Sequence, residues 1–326
     1  MLSVAVISSL YRCEPHLPTF TAAVYGFAKQ ISESGLSVHY VPIVNDASDD
    51  ERAQIDRLAR EINAKYYGRM TPIYVARESL YASWNRGIAS SQAPGIAFWN
   101  ADDIRSTEGF MEGARALGSG ANLVDFPFTR VSTGRRLGLF PLQQRLEVPR
   151  LFDPAAFARG NGLGPFFMMS RALFQRVGPF DDAFRVAGDM EWAGRALAHA
   201  RFQAGQSNGG DFLIHGNNLS NTGGDREDIE VNIIFLRRGE WRHLRPVHPR
   251  AQQDAWHSWG NTKSLRLPDE IEDYLWGPAA HERWRHYQRE RKQGTLRRRI
   301  RLALAARGLL HSAEWSVYQG KQQDSL

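Results

Sequence analysis

Short apolar runs alternate with stretches of helical period along the first hundred residues, and this alternation constrains the fold more than any other feature. Residues 3–9 (SVAVISS) read as a buried strand. Residues 16–33 carry apolar positions at Leu17, Phe20, Ala23, Val24, Phe27 and Ile31, the spacing of one helix face, and Gly35 stops that helix. A strand over 37–44, a helix over 50–62, a weak strand region at 65–75, a helix over 79–91 and a short apolar strand at 95–99 follow. Strand and helix in strict turn predict a parallel α/β sheet with right-handed crossovers. From about 121 the pattern changes to strands with longer connections, and from 226 it is mostly helical and Trp-rich.

In such sheets ligands sit beyond the carboxyl ends of the strands. Two acidic clusters fall there, Asp46 with Asp49 and Asp50, and Asp102 with Asp103. Paired carboxylates at a strand end need solvent, a basic partner or a divalent cation. Asn100, Asp102 and Asp103 offer hard oxygen ligands suited to Mg²⁺ or Mn²⁺ bridging a diphosphate. The competing reading makes Asp102 or Asp103 the N-cap of the helix that begins near Thr107. A third acidic pair, Asp189 and Glu191, opens a helix running to about Ala200. Asp189 there is either an acid favoured by the helix dipole or a general base over a cleft.

Taken in order, several segments resemble a family 2 glycosyltransferase of the GT-A fold. Val4–Arg12 stands where that family has an apolar strand followed by Pro-Thr-Tyr-Asn. Val44-Asn45-Asp46-Ala47-Ser48-Asp49-Asp50 is similar to its Asp-Asp-Gly-Ser-Thr-Asp. Ser79–Ile88 resembles the stretch before its metal motif, and Phe98-Trp99-Asn100-Ala101-Asp102-Asp103 its Asp-x-Asp region with Asn first. Val177–Phe184 resembles the Gly-Gly-Phe-Asp-Glu turn, Gly188–Trp192 with Arg195 the base-bearing helix, and His215–Ser220 the closing His segment. The resemblance covers residues 3–220.

It implies an α/β GT-A architecture: a Rossmann-like mixed sheet flanked by helices over 1–222, with a nucleotide-sugar half at 1–105 and an acceptor half at 106–222. A mostly helical extension would occupy 223–326. The implied activity is inverting, metal-dependent transfer of one sugar from a nucleotide-diphosphate sugar, a UDP-sugar foremost, to a glycan or lipid-linked acceptor in cell-surface polysaccharide assembly. Asp189 would be the base. Ser9, Asn45, Asp46, Asn85, Asn100, Asp102 and Glu191 would contact substrate, and Asp102, Asp103 and His215 would hold Mn²⁺ or Mg²⁺. Glu191 has a second reading, an i,i+4 pair with Arg195. Asn45 and Asn100 depart from the family pattern and motivate an alternative, a nucleotide-sugar-binding module without catalysis. A sugar nucleotidyltransferase is less favoured, because Ser8-Ser9-Leu10-Tyr11-Arg12 lacks the glycine-rich phosphate loop. The Gln-x-x-Arg-Trp motif of processive synthases is absent after Asp189.

Charge and cysteine content narrow the setting. The net charge is +6, yet residues 281–307 alone hold ten Lys/Arg against two Glu. A nucleic-acid-binding body is therefore not expected. The basic segment suits either peripheral contact with an anionic membrane or docking on the catalytic domain. The lone Cys13 excludes an intramolecular disulfide and fits a reducing compartment, so the expected location is cytoplasmic, peripheral on the inner face of the membrane where the basic segment binds it.

Overall fold

The computed structural model describes residues 3–66, 68–133, 143–148, 153, 157, 162–214, 225–258 and 266–290. The chain divides into two compact units, Met1–Leu244 and Arg245–Leu326.

In the first unit the expected alternation is present: β1 (Val4–Tyr11), α1 (Leu17–Ser34), β2 (Val38–Asn45), α2 (Asp49–Lys65), β3 (Gly68–Met70), β4 (Ile73–Val75), α3 (Leu80–Ala89) and β5 (Gly95–Phe98). The helix boundaries follow local chemistry. Pro18 lies in the first turn of α1, and Gly35 closes that helix at φ 71°, a left-handed conformation that suits glycine. Ser48 and Glu51 cap α2 reciprocally, each side chain taking the other's backbone N–H. The weak strand region resolves into two short strands that both pair β2, because the chain leaves the edge at Thr71–Pro72 and rejoins it.

The next elements are β6 (Ile104–Arg105), α4 (Thr107–Gly118), β7 (Leu123–Asp125), β8 (Phe128–Thr133), β9 (Gln143–Val148), β10 (Met168–Ser170), α5 (Arg171–Val177), α6 (Gly188–Ala196), β11 (Phe202–Ala204), β12 (Gly210–Ile214) and α7 (Arg226–Arg238), with a 3-10 turn at Trp241–His243. Among the described residues eight strands form one sheet in the order β11-β7-β10-β5-β1-β2-β3, with β4 also on β2. Pairings among β1–β5 are parallel, while β10 runs antiparallel between β5 and β7. The sheet is thus mixed. A smaller sheet, β6-β12-β8-β9, stands apart from it.

The core lies on both faces of the main sheet. β5 ends in Phe98 and then Trp99, which period-2 alternation sends to opposite sides. Trp99 meets Phe20 and Phe27 of α1 edge-on at 5.9 and 5.1 Å. Phe98 stacks on Trp84 of α3 at 4.1 Å and meets Phe180 at 5.7 Å. The carboxyl end of β5 is therefore anchored on both faces of the sheet, and the turn that follows starts from that anchor.

The second unit contains α8 (Pro249–Ser258), α9 (Asp269–Trp276) and helical residues 280–290. Arg285 and Arg289 are exposed there, while the rest of the basic segment, 291–307, lies outside the described residues. No helix among the described residues is long and apolar enough to cross a membrane.

Candidate functional site

The carboxyl ends of β1, β2 and β5 and the start of α6 carry the residues singled out from sequence. β1 and β2 pair in parallel up to Tyr11 with Asn45, so Arg12 and Asp46 leave the sheet side by side. Both adopt left-handed backbone, φ 47° and 46°, which is costly for a residue with a Cβ. The exposed Asp46 carboxylate takes the Arg77 N–H on Oδ1 at 2.9 Å. The Arg77 and Arg12 guanidinium groups lie 4.5 and 5.3 Å from the centre of the Tyr11 ring. The result is an aromatic ring with two cations and a carboxylate at one sheet edge. Ser9, half-buried in β1, pairs with Ile43 two residues short of that edge.

Asn45 is differently employed. It is buried, its Nδ2 donates to Leu10 O and Ser83 Oγ at 3.3 and 3.1 Å, and its Oδ1 accepts the Glu78 N–H at 2.9 Å. A carboxylate could not make the two donations. Asn85 is likewise engaged at both ends of its amide, with Phe180 N–H and C=O at 3.0 and 2.8 Å, and so ties α3 to the 178–184 turn. Asn45 and Asn85, expected to contact substrate, thus both spend their amides on the protein.

After β5 the two acids separate. Asp103 is buried; its Oδ2 accepts from Asn100 Nδ2 at 2.9 Å and its Oδ1 from the Leu213 N–H at 3.1 Å. Burial, with Asp102 alongside, pushes its carboxyl well above the usual range. Neither acid caps α4. That cap is Ser106, whose Oγ accepts the Gly109 N–H. Asp102 is only partly buried. Of the expected metal ligands, Asp103 therefore has both oxygens engaged within the fold, and His215 lies outside the described residues. Among the described residues no group of three or more His, Cys, Asp or Glu could hold a metal. A cation that draws most of its ligands from a diphosphate and water needs only one or two carboxylates. Asp102 fits that requirement.

Asp189 sits in the first turn of α6, partly buried. Its Oδ1 accepts from the Met190 N–H at 2.8 Å and from Tyr81 Oη at 3.2 Å. Its Oδ2 has no hydrogen-bond partner among the described residues. Burial pushes its pKa up to about 6; the Met190 and Tyr81 hydrogen bonds oppose that rise and the Glu227 charge adds to it. Glu191 plays no part in it. Arg195 holds Glu191 bidentately at 2.8 Å and donates also to Val177 O and Pro179 O, so Glu191 is the helix pair that braces the preceding turn.

Two residues escaped the sequence reading. Tyr81 is fully buried, and its hydroxyl reaches Val186 O at 2.8 Å as well as Asp189. Glu230, wholly buried in α7, accepts the N–H groups of Arg185, Val186 and Ala187 at 3.0, 2.8 and 2.8 Å. Neither had a signal of its own. Tyr81 reads as an apolar position of α3, and Glu230 as one acid in a mixed helix.

No family model matches the chain, and no curated protein matches it. Solved structures do. S. aureus TarS 1-349 in complex with UDP-GlcNAc superimposes with a TM-score of 0.56 at 12% identity, over 90% of this chain and 92% of that one. The mannosyltransferase PcManGT from Pyrobaculum calidifontis, in complex with GDP-Man and Mn2+, gives 0.54 at 14% identity, over 97% and 84%. The mixed sheet, its flanking helices and these likenesses together make the fold GT-A.

Proposed function

We propose that this chain transfers a single sugar, with inversion, from a nucleoside-diphosphate sugar to a hydroxyl of a glycan or lipid-linked acceptor. One observation carries the reading: on a GT-A fold, Asp189 takes its side-chain and Met190 hydrogen bonds on Oδ1, leaving Oδ2 without one from another described residue, and burial raises its pKa to about 6. A base with a pKa of about 6 accepts a proton at neutral pH without being too weak to hold it.

Each residue then has a part. Asp46 and the Tyr11 ring receive the nucleoside, and Arg12 and Arg77 offset diphosphate charge. Asp102 would hold a Mn²⁺ or Mg²⁺ shared with the diphosphate, and that cation would stabilise the leaving group as its charge grows. The acceptor O–H gives its proton to Asp189 Oδ2 as its oxygen forms the new bond at the anomeric carbon. The bond from that carbon to the diphosphate oxygen breaks on the opposite face, and the nucleoside diphosphate departs. A single base on the acceptor side supports inversion. The two residues that favour a module without turnover, Asn45 and Asn100, are accounted for by the hydrogen bonds they donate inside the protein.

The test begins with melting temperature in the presence of UDP-GlcNAc or GDP-Man, with and without Mn²⁺. A bound donor at 100 times its Kd should add about 2.7 kcal/mol of stability. No shift with either donor contradicts the nucleotide site. Asp189→Asn should then lower turnover on the order of 10²–10⁴-fold while donor binding persists. The wild-type kcat/KM should fall as pH drops through about 6, where Asp189 protonates. Undiminished turnover in the variant removes Asp189 as base.

A further inference from the structure

We propose that Glu230 and Tyr81 are positioning residues for the Asp189 carboxylate, closing on the backbone of residues 185–187 from two sides. The proposal rests on the reading of Asp189 as the base.

Four helices of the first unit start in the ordinary way, with Ser48, Ser79, Ser106 and Ser170 capping α2, α3, α4 and α5. α6 does not. Its N-cap residue, Ala187, has no side-chain cap, and the chain entering it is held by a different element. Glu230, mid-way along α7, accepts three consecutive N–H groups, Arg185, Val186 and Ala187, and also Arg226 Nε at 3.0 Å. Burying a carboxylate is expensive, and a serine cap would satisfy a helix start more cheaply. What the carboxylate adds is a fixed position for a stretch of backbone that ends two residues before Asp189.

Tyr81 holds the same stretch from the opposite side. Its hydroxyl lies between Val186 O, at 2.8 Å, and Asp189 Oδ1, at 3.2 Å. The Met190 N–H meets that same Oδ1 at 2.8 Å. Both bonds fall on one oxygen, which fixes the rotamer and directs neither bond to Oδ2. Burial and the facing Asp189 charge push the Tyr81 phenol well above its usual range, so it remains a donor. The other charged groups about Asp189 are Glu227 on α7, with Glu230 acting through Tyr81, and Glu191 on its own helix, already paired with Arg195.

A fixed rotamer makes a prediction that simple structural support does not. Tyr81 has one O–H proton, shared between Val186 O and Asp189 Oδ1; its share on the charged Asp189 lowers that pKa, so losing the hydroxyl should raise it. The test uses the full chain and needs no substrate: melting temperature is followed from pH 4 to 9 for the wild type and for Asp189→Asn, and the difference between them is plotted. That difference should inflect near pH 6. In the Tyr81→Phe background the inflection should move up by about 0.5–1 pH unit. Nucleoside diphosphate release from UDP-GlcNAc and from GDP-Man supplies the second arm. Glu230→Gln turns an amide donor toward three N–H groups, and should lower kcat on the order of 10²-fold with KM held within about twofold. If Asp189→Asn keeps wild-type kcat, the base reading falls and the clamp with it. If Asp189→Asn is inactive but Tyr81→Phe leaves the inflection in place and Glu230→Gln keeps wild-type kcat, the clamp alone is wrong.

Discussion

Asn100 stands where the resemblance puts a carboxylate, and its chemistry there is donation. Its Nδ2 supplies one of the two hydrogen bonds that hold the buried Asp103 carboxyl, whose pKa is already forced upward by burial and by Asp102. Restoring the family's acid with Asn100→Asp would remove that donor and set a third carboxyl against the pair. Losing a hydrogen bond to a buried group and adding a like charge should together cost about 2–4 kcal/mol at pH 8 without divalent cation. The sign with pH follows from linkage. Carboxyls held above their unfolded values bind more protons folded than unfolded, so stability falls as pH rises through the raised values and recovers below them. Urea unfolding of the variant at pH 8 and pH 4.5 in chelator checks this, and equal stability to the parent at pH 8 would contradict it. The same reasoning explains why the protein partners of Asn45 and Asn85 are not legible in the sequence. An amide's partners come from segments far away in sequence, as Asn85 and Phe180 do, and no local pattern records them.

The start of α6 is an element-scale problem of fit. A Cβ on Gly188 would come within 2.6 Å of Tyr81 ring carbons. The Tyr81 ring is fully buried, edge-on to Trp84 at 5.4 Å and stacked on Phe180 at 6.0 Å, so it has nowhere to retreat. Helix propensity alone would make Gly188→Ala stabilising by about 1 kcal/mol. Overpacking a filled core costs about 1–3 kcal/mol and should win. We expect the variant to be less stable by up to about 2 kcal/mol in denaturant, and to lose turnover by a larger factor than donor affinity, because the proposed base lies on α6. A stabilised, fully active variant would show that α6 can shift freely. Legibility divides along the same line. The strands and helices up to Phe98 were readable because each repeats its own period, and Gly35 because a helix stop is local chemistry. The cap of α4 was misread, since Ser106 is one of several residues able to cap there and only the folded turn after β5 engages Asp103 elsewhere. The packing of Gly188 on Tyr81 joins residues a hundred positions apart.

At the scale of the whole chain the question is where the catalytic unit ends. The motifs stop near residue 220, and the motif reading ends the catalytic domain at 222. The first compact unit continues to Leu244. The physical reason is α7. Its residues Ile229, Val231, Ile233, Ile234, Phe235 and Leu236 are all buried, Glu230 holds the entry to α6, and Arg237 pairs with Asp181 at 2.9 Å. Motif reading cannot see this, because the quoted motifs end before α7 begins. Two truncations separate the boundaries. A chain of residues 1–244 should unfold cooperatively and keep the donor-induced rise in melting temperature. A chain of residues 1–222 would expose the apolar surface that α7 covers and leave the Arg185, Val186 and Ala187 N–H groups without their acceptor. At roughly 1.5–3 kcal/mol for each large apolar side chain no longer buried, the loss is as large as the 5–15 kcal/mol by which a domain is ordinarily stable. The shorter chain should therefore lack a cooperative thermal transition. If it melts like the longer one, α7 is an appendage, and the hold that Glu230 exerts on the base helix is dispensable to the fold.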